Sequence, residues 1–145
     1  MNLDALLTAL ALDEGRRTNS RGRHMPYTCP AGRLTLGYGR NIEDNGISES
    51  EAIDLLTADA IQAYRDAADL IPNWAALNDV RQNVCASMAF QMGKPTLAKF
   101  KKFLAAVNEQ RWEDAAYEMM SSSWYAQSGK RSIRLKTEML AGRLG

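Results

Sequence analysis

The sequence of 145 residues predicts an α+β fold in one domain. A helical period of apolar residues runs through the first 13 residues and most of the chain after residue 48. The segment 16–45 lacks that period and is rich in Gly, Pro, Thr and Arg. Within it, Leu34, Leu36 and Tyr38 alternate with smaller residues, as in a strand of a small antiparallel sheet. One helix, a small sheet and a run of helices define this fold class.

The first helix is predicted over residues 2–13. Its leucines follow the i, i+3, i+4, i+7 spacing of one helix face, at Leu3, Leu6, Leu7 and Leu10. Gly15 is expected to end this helix, because glycine readily adopts the backbone conformation that follows a helix C-terminus. The loop and the sheet then occupy the chain up to about residue 48.

A capping box starts the next helix, since Ser48 is followed three residues later by Glu51. That helix is predicted over 49–71 and ends before Pro72. Four further helices are predicted over 77–91, 96–108, 112–120 and 131–142, with 121–129 as a connecting segment. We expect a sheet lobe at about 16–48, a helical lobe formed by 1–15 and 72–145, the connecting helix 49–71, and a cleft between the lobes.

Composition is that of a soluble globular protein, with 46% hydrophobic and 24% charged residues. No apolar run reaches the roughly 20 residues that a transmembrane helix requires, so no transmembrane anchor is predicted. The first residues lack the charged start and the cleavage site of a secretory signal, which predicts synthesis in the cytoplasm. In that compartment Cys29 and Cys85 are expected to be free thiols.

Charge is unevenly distributed, although the net charge is only +1. Residues 43–79 contain 1 basic and 9 acidic residues, whereas residues 94–145 contain 10 and 5. One interpretation is a basic surface that attracts anionic nucleic acid, membrane or cell wall. The other is a set of solvated helix faces, and charge patterning alone does not separate the two.

Few residues are candidates for chemistry. His24, the one histidine, lies in a polar loop without partners at metal-ligand spacing, so an exposed role and no metal are predicted. Glycine-rich phosphate loops and paired-cysteine motifs are absent, and no cofactor is predicted. Glu14 stands out, because it ends the first helix shortly before the strand segment Leu34-Thr35-Leu36-Gly37-Tyr38-Gly39.

This arrangement resembles phage-type lysozymes of glycoside hydrolase family 24, whose site combines a Glu, an Asp or Cys, and a Thr. The resemblance places Glu14, Cys29 and Thr35 at those positions, with the family's five residues between Cys29 and Thr35. Fourteen residues separate Glu14 from Cys29, against about eight in the family, which indicates a six-residue insertion within 16–26. Two positions depart from the common pattern: Cys29 replaces Asp, and Arg40 stands where His is frequent.

The resemblance continues along nearly the whole chain, through Val80-Arg81, Met88-Ala89-Phe90-Gln91-Met92-Gly93, Gln110-Arg111-Trp112-Glu113-Asp114-Ala115-Ala116 and Ser123-Trp124-Tyr125-Ala126-Gln127. It implies a lysozyme-like fold and a muramidase that cleaves the β-1,4 bond between N-acetylmuramic acid and N-acetylglucosamine in bacterial peptidoglycan. Glu14 is then the general acid, kept protonated by burial, and Arg131 approaches it.

For Cys29 the resemblance leaves three roles open: a thiolate that activates water, a thiolate that attacks the anomeric carbon, or a passive loop residue. Neighbouring arginines are expected to lower the thiol pKa, and Thr35 to position the water. Phe90, Gln91, Met92 and Arg131 are expected to contact the sugar, although packing is an equally good explanation for the first three. Core positions are predicted for Cys85, Trp112, Trp124 and Tyr125.

These features together predict a monomeric phage endolysin for host-cell lysis, which reaches the periplasm after a separate membrane-opening protein acts. The alternative is a noncatalytic cell-wall-binding module that keeps the fold. Nucleic-acid binding through the basic C-terminal part is a third hypothesis, which lacks a recognisable motif, and we predict no nucleic-acid partner.

Overall fold

Nine α-helices and a three-stranded antiparallel sheet form the computed structural model, which describes residues 1–145. The predicted α+β, lysozyme-like class is therefore confirmed. The chain divides into two compact units, residues 1–53 and 54–145. The predicted lobes and the cleft between them concern the arrangement of such units and stay predictions. No helix has the length and apolar character needed to cross a membrane.

The first unit opens with helix α1, Leu3–Asp13, close to the predicted bounds. The side chain of Asn2 caps it by accepting a hydrogen bond from the Ala5 amide at 3.0 Å. The leucine stripe predicted from the spacing is present, but every residue of α1 remains exposed. Glu14 follows as the C-cap, and its extended backbone (φ −83°, ψ 147°) ends the helix one residue before Gly15.

The sheet consists of strands β1 (Tyr27–Thr28), β2 (Leu34–Leu36) and β3 (Arg40–Asn41), in that spatial order. Thr35 is central, because it pairs with Tyr27 on one side and with Asn41 on the other. Helix α2, Ile42–Asn45, follows directly and was not predicted. Four residues are too few to show a helical period, and the Asn41 side chain starts this helix by accepting from the Asp44 amide.

Helix α3 spans Glu49–Leu70, as predicted. Its capping box is formed: the Ser48 hydroxyl accepts from the Glu51 amide at 3.1 Å, and the Glu51 carboxylate accepts from the Ser48 amide at 3.4 Å. Arg40 adds a salt bridge of 2.7 Å to the same carboxylate, which connects β3 to the start of α3.

In the second unit, helices α4 (Asp79–Met92), α7 (Trp112–Met120) and α9 (Lys130–Ala141) agree with the predictions. The predicted helix 96–108 is wrong: it is divided into α5 (Lys94–Leu97) and α6 (Lys101–Asn108). Phe100 lies outside the helical region (φ −80°, ψ 56°), and this break lies between two buried side chains, Leu97 and Phe103.

The segment predicted as a connection, 121–129, instead contains helix α8, Ser123–Ser128. The Ser122 hydroxyl caps α8 by accepting from the Tyr125 amide, and the buried Trp124 anchors it. A helix of six residues is too short to show a helical period in the sequence. The burial of Trp124 favours helix α8 where the local pattern gave no indication of one. The core of this unit is formed by fully buried side chains that include Ile71, Val84, Met88, Leu97, Phe103, Met119, Leu135 and Met139.

Candidate active site

Glu14 lies in an open groove of ≈ 520 Å³ in the first unit. The groove is lined by the end of α1 and by two side chains from the following segments, at Thr8, Ala11, Leu12, Glu14, Arg16 and Tyr38. The Glu14 amide still donates to the Leu10 carbonyl at 2.9 Å, so the helix fixes the backbone of the carboxylate residue. Glu14 is exposed within the groove, so the prediction that burial keeps it protonated was wrong about the burial of this side chain.

Two contacts from the sheet segment hold the region around Glu14. The Tyr27 hydroxyl donates to the Gly15 carbonyl at 2.7 Å, which connects β1 to the chain just after the acid. Gly39 lies against the carboxylate itself, because a Cβ built on Gly39 would be 3.0 Å from Glu14 Oε2. Gly39 also has φ +88°, a conformation that side-chain-bearing residues rarely adopt. The sequence did not single out Tyr27 or Gly39 as site residues. The Gly37-Tyr38-Gly39 pattern was the only feature that pointed to Gly39.

Cys29 begins a tight hairpin loop between β1 and β2. Its amide donates to the Arg33 carbonyl at 2.9 Å, and its carbonyl accepts from the Gly32 amide at 2.8 Å. Gly32, with φ +81°, closes this three-residue loop, in the arrangement typical of a turn followed by a left-handed residue. Cys29 itself is half-buried and unpaired with the other cysteine.

Hydrogen bonds to the sulfur lower the pKa of the Cys29 thiol below its ordinary value of 9.0. The backbone N–H of Arg33 contributes most, and the backbone N–H of Ala31 and the Thr35 hydroxyl add to it, against a smaller opposing effect of burial. The prediction that arginine side chains lower this pKa was therefore wrong about the cause. The thiolate is stabilised by main-chain donors of its own loop.

Thr35 is buried, with 2% of its surface exposed, and it faces the same sulfur. Its hydroxyl donates to the Arg33 carbonyl at 2.9 Å and is also within hydrogen-bonding reach of the Cys29 sulfur. The predicted pair of Cys29 and Thr35 is thus brought together. The predicted role of Thr35 in positioning a water molecule stays a prediction.

The insertion inferred from the spacing folds as a second hairpin with the same loop geometry as the one at Cys29. The Asn19 amide donates to the Arg23 carbonyl at 2.8 Å, and the Asn19 carbonyl accepts from Gly22 at 2.9 Å. Gly22 has φ +75°. Asn19 Oδ1 accepts from the amides of Arg21 and Arg23, two and four residues ahead, as the Cys29 sulfur does from Ala31 and Arg33. Such loops therefore aim two N–H groups at the side chain of their first residue.

The remaining predicted site residues lie in the second unit. Phe90 and Arg131 line an open, mostly apolar groove of ≈ 640 Å³, together with residues such as Leu56, Ile61 and Tyr64. The Arg131 guanidinium donates to the Ser87 carbonyl at 3.5 Å. A role of Phe90 and Arg131 in substrate binding, and the approach of Arg131 to Glu14, stay predictions.

Gln91 and Met92 have structural partners. The Gln91 side chain accepts from Trp124 Nε1 at 2.9 Å and donates to the Ser128 hydroxyl at 2.8 Å, which connects α4 to α8. Met92 is half-buried against the core. The oxygen and the nitrogen of the Gln91 side-chain amide thus each have a structural partner, and the contact of Gln91 and Met92 with a sugar stays a prediction.

Other sequence predictions concerned the core and the one histidine. Trp124 and Cys85 are buried as expected, and burial raises the pKa of Cys85 to about 12. Trp112 and Tyr125 are only half-buried, although both pack against the core. His24 is exposed, with its ring edge-on to Tyr38 at 5.1 Å.

The geometry defines a lysozyme-like α+β fold with a carboxylate in an open groove, and comparisons with known proteins identify the family. Residues 19–138 match the family model for phage lysozyme, so the chain belongs to the phage lysozyme family. The matched region begins after Glu14, whose assignment therefore depends on the motif spacing and the geometry described above.

Similar proteins come from an amoeba and a phage. Probable T4-type lysozymes 2 and 1 of Dictyostelium discoideum are 36% and 34% identical over 101 residues, which cover 68% and 67% of this chain. The pre-baseplate central spike protein Gp5 of Enterobacteria phage T4 is 36% identical over 116 residues, or 77% of this chain. The matched regions span 59%, 58% and 20% of these three relatives, respectively.

Proposed function

We propose that this chain is a muramidase that hydrolyses the β-1,4 bond between N-acetylmuramic acid and N-acetylglucosamine in peptidoglycan. The single observation that carries the proposal is the Glu14 carboxylate, fixed at the C-cap of α1 and lining an open groove. The pair of Cys29 and Thr35 in the same unit and membership of the phage lysozyme family support it. The names of the two amoebal relatives point in the same direction.

Cleavage needs a proton for the leaving oxygen and stabilisation of an oxocarbenium-like transition state. Protonated Glu14 donates its proton to the glycosidic oxygen as the bond to the anomeric carbon breaks. Gly39 leaves the carboxylate little room to move on one side, since a Cβ built on Gly39 would lie 3.0 Å from Oε2. This restriction keeps the acid oriented toward the groove, and orientation is a substantial part of acid catalysis.

Cys29 takes the place that a second carboxylate has in many glycosidases. As a thiolate it either removes a proton from the attacking water or attacks the anomeric carbon, forming a thioglycosyl intermediate that water then hydrolyses. In the first route the product anomer is inverted, and in the second it is retained. The N–H groups of Arg33 and Ala31 stabilise the negative sulfur in both routes, and the Thr35 hydroxyl adds to this when its proton turns from the Arg33 carbonyl to the sulfur.

The test is lysis of permeabilised Gram-negative cells, followed as loss of turbidity. We expect Glu14→Gln to lower the rate by about 10²–10⁴-fold, because the amide cannot donate the required proton. Glu49→Gln is the matched control, since Glu49 is an exposed acid of the same unit in the first turn of α3. Equal lysis by wild type and Glu14→Gln would exclude Glu14 as the acid.

The role of Cys29 is tested with Cys29→Asp and Cys29→Ser. We expect Cys29→Asp to retain activity, because Asn19 shows that this type of loop accommodates a side-chain oxygen in front of its two N–H groups. Cys29→Ser is expected to be much less active, since a hydroxyl is a far weaker base and nucleophile than a thiolate at neutral pH. Full activity of Cys29→Ser would make Cys29 a bystander, and anomer analysis of released muropeptides separates the two routes.

A second candidate, a noncatalytic cell-wall-binding module, is favoured by one observation: a cysteine stands where many family members have Asp. It predicts that wild type binds peptidoglycan without lysing cells. For the biological setting, we propose a phage endolysin that is made in the host cytoplasm and acts in the periplasm. Lysis by expressed protein only when a membrane-opening protein is co-expressed would support this setting.

A further inference from the structure

The inserted hairpin, residues 16–25, has two different faces. Thr18 and His24 pair across it, and the His24 ring contacts Tyr38 at 5.1 Å. Arg16 turns toward the same tyrosine, donating to its hydroxyl at 3.1 Å. Because side chains alternate along paired strands, Arg17 and Arg23, the neighbours of the paired residues, project from the opposite face. One face is thus fixed on Tyr38, and the other carries arginines.

The surrounding sequence concentrates positive charge on this hairpin. Residues 15–42 contain six arginines and neither Asp nor Glu. Two of them are paired with later acids: Arg33 with Glu43 and Asp44, and Arg40 with Glu51. The four on the hairpin, Arg16, Arg17, Arg21 and Arg23, form no salt bridge, and all four are exposed.

The hairpin is also ordered by its own hydrogen bonds. Asn19 Oδ1 holds the amides of Arg21 and Arg23, and the Met25 amide donates to the Arg17 carbonyl at 2.7 Å. Its arginines therefore project from a defined scaffold, so that little entropy of the loop is lost when a ligand binds. The base of this scaffold, Arg16, lines the same groove as Glu14.

We propose that the outer face formed by Arg17 and Arg23, together with Arg21 in the loop that joins the two sides of the hairpin, binds the carboxylates of the peptide stems on the glycan strand in the groove. This inference rests on the proposed function and adds a recognition element to it. Guanidinium groups match carboxylates through paired, charge-assisted hydrogen bonds. The stems extend away from the glycan strand and bear free carboxylates, and the hairpin begins at Arg16, which lines the groove. A strand with its scissile bond at Glu14 therefore brings these carboxylates within reach of the hairpin.

The first test compares two substrates with one triple variant, Arg17→Gln/Arg21→Gln/Arg23→Gln. Wild type and variant are assayed on intact peptidoglycan and on glycan strands freed of peptides by an amidase. We expect the ratio of kcat/KM on stem-bearing to stem-free strands to fall by about tenfold in the variant, mainly through KM. Lys99→Gln/Lys101→Gln/Lys102→Gln, which removes equal charge from exposed positions of the second unit, is expected to leave that ratio unchanged. An unchanged ratio in the arginine variant would overturn the proposal.

The second test separates this proposal from the proposed function. Glu14→Gln protein, with and without the arginine substitutions, is pelleted with peptidoglycan sacculi before and after chemical amidation of the stem carboxylates. We expect amidation to weaken binding of the Glu14→Gln protein about tenfold, with little effect when the arginines are also replaced. Equal binding to native and amidated sacculi would overturn the proposal. This binding measurement remains informative even if the wild type cleaves no glycan. The absence of cleavage would refute only the proposed function.

A third measurement addresses phosphate as an alternative anion. The same proteins are incubated with lipopolysaccharide vesicles, whose headgroups bear phosphate. Arginine-dependent binding to vesicles but not to sacculi would overturn the assignment to stem carboxylates. We expect the thermal unfolding midpoints of all variants to agree within about one degree, because the substituted side chains are exposed and unpaired.

Discussion

Residues 1–53 bury one side chain, that of Thr35, whereas residues 54–145 bury a continuous cluster that includes Met88, Leu97 and Phe103. The first unit is shaped by turns, caps and single hydrogen bonds between short segments. The second is shaped by apolar packing of its helices. The candidate chemistry lies in the first unit, where the Glu14 carboxylate lines a groove and main-chain donors surround the Cys29 sulfur. The contrast indicates that this protein separates the part that provides stability from the part that provides reactive groups.

The two cysteines give the largest expected difference between the units. Cys29 has a lowered pKa because of the N–H groups around its sulfur, whereas burial raises the pKa of Cys85 to about 12. In native protein at pH 8 the thiolate fraction, and hence alkylation by iodoacetamide, should differ by about 10³-fold or more. Peptide mass spectrometry after timed labelling measures both rates.

The sign of the pH effect follows from the direction of the shift. A lowered pKa means that labelling of Cys29 rises with pH through a midpoint below 9.0 and falls as acid protonates the thiolate. Labelling in denaturant is the control, where both thiols should react alike. Equal labelling in the native state would show that the two units do not differ in this way.

A core substitution should produce the next largest effect. Phe103→Ala removes a fully buried ring from α6 and is expected to lower the free energy of unfolding by about 3–5 kcal/mol. The comparison variant in the first unit is Leu34→Ala, because Leu34 is 43% exposed on β2 and should cost only about 0.5 kcal/mol. Urea denaturation measures both. Similar losses would mean that the sheet contributes more to stability than its burial indicates.

Gly39→Ala tests whether the first unit positions its acid by close contact. An added Cβ would meet Glu14 Oε2 at 3.0 Å, and the positive φ adds strain. We expect kcat to fall by about tenfold, since a small displacement of an acid is costly. Gly37→Ala is the matched control: Gly37 also has a positive φ, of +68°, but a Cβ there meets no atom within 4 Å. A similar loss in both variants would assign the effect to strain alone.

Tyr27→Phe is expected to have the smallest effect of the series. It removes the hydroxyl that donates to the Gly15 carbonyl at 2.7 Å and should cost about 1 kcal/mol of stability, with a fall in kcat of a few-fold. Tyr117→Phe provides the control, because Tyr117 lies 62% exposed on α7. An unchanged kcat in Tyr27→Phe would show that β1 does not help to orient Glu14.

Much of the candidate site was predictable because its spacing is local. The interval between Cys29 and Thr35 is set by one hairpin loop, and the capping box at Ser48 and Glu51 is a contact within one helical turn. The insertion before Cys29 was visible as a length difference. Its conformation was not predicted, although the sequence contains a repeated pattern. Residues 19–23 and 29–33 both end in Gly-Arg, three residues after the start of the loop.

Other features depended on contacts between residues far apart in the chain. The hydrogen bonds of Gln91 to Trp124 and Ser128 show how it packs between α4 and α8, and its contact with a sugar stays a prediction. The contact of Gly39 with Glu14 was likewise absent from the linear pattern, whereas the main-chain donors at Cys29 belong to its own loop, two and four residues ahead. The spacing of residues in the sequence predicts which residue types belong to a site, but it does not predict which atoms are in contact.

The sequence by itself determined the α+β class and the long helices, and its resemblance to a family gave the three candidate site positions Glu14, Cys29 and Thr35. Periodicity, caps and turn residues act over a few neighbouring residues, so the linear order contains them. Only the tertiary structure decided where short helices form, which side of the inserted hairpin bears free arginines, and what lies against the Glu14 carboxylate. Those features depend on burial and hydrogen bonds between distant segments, whose free energies outweigh local preference.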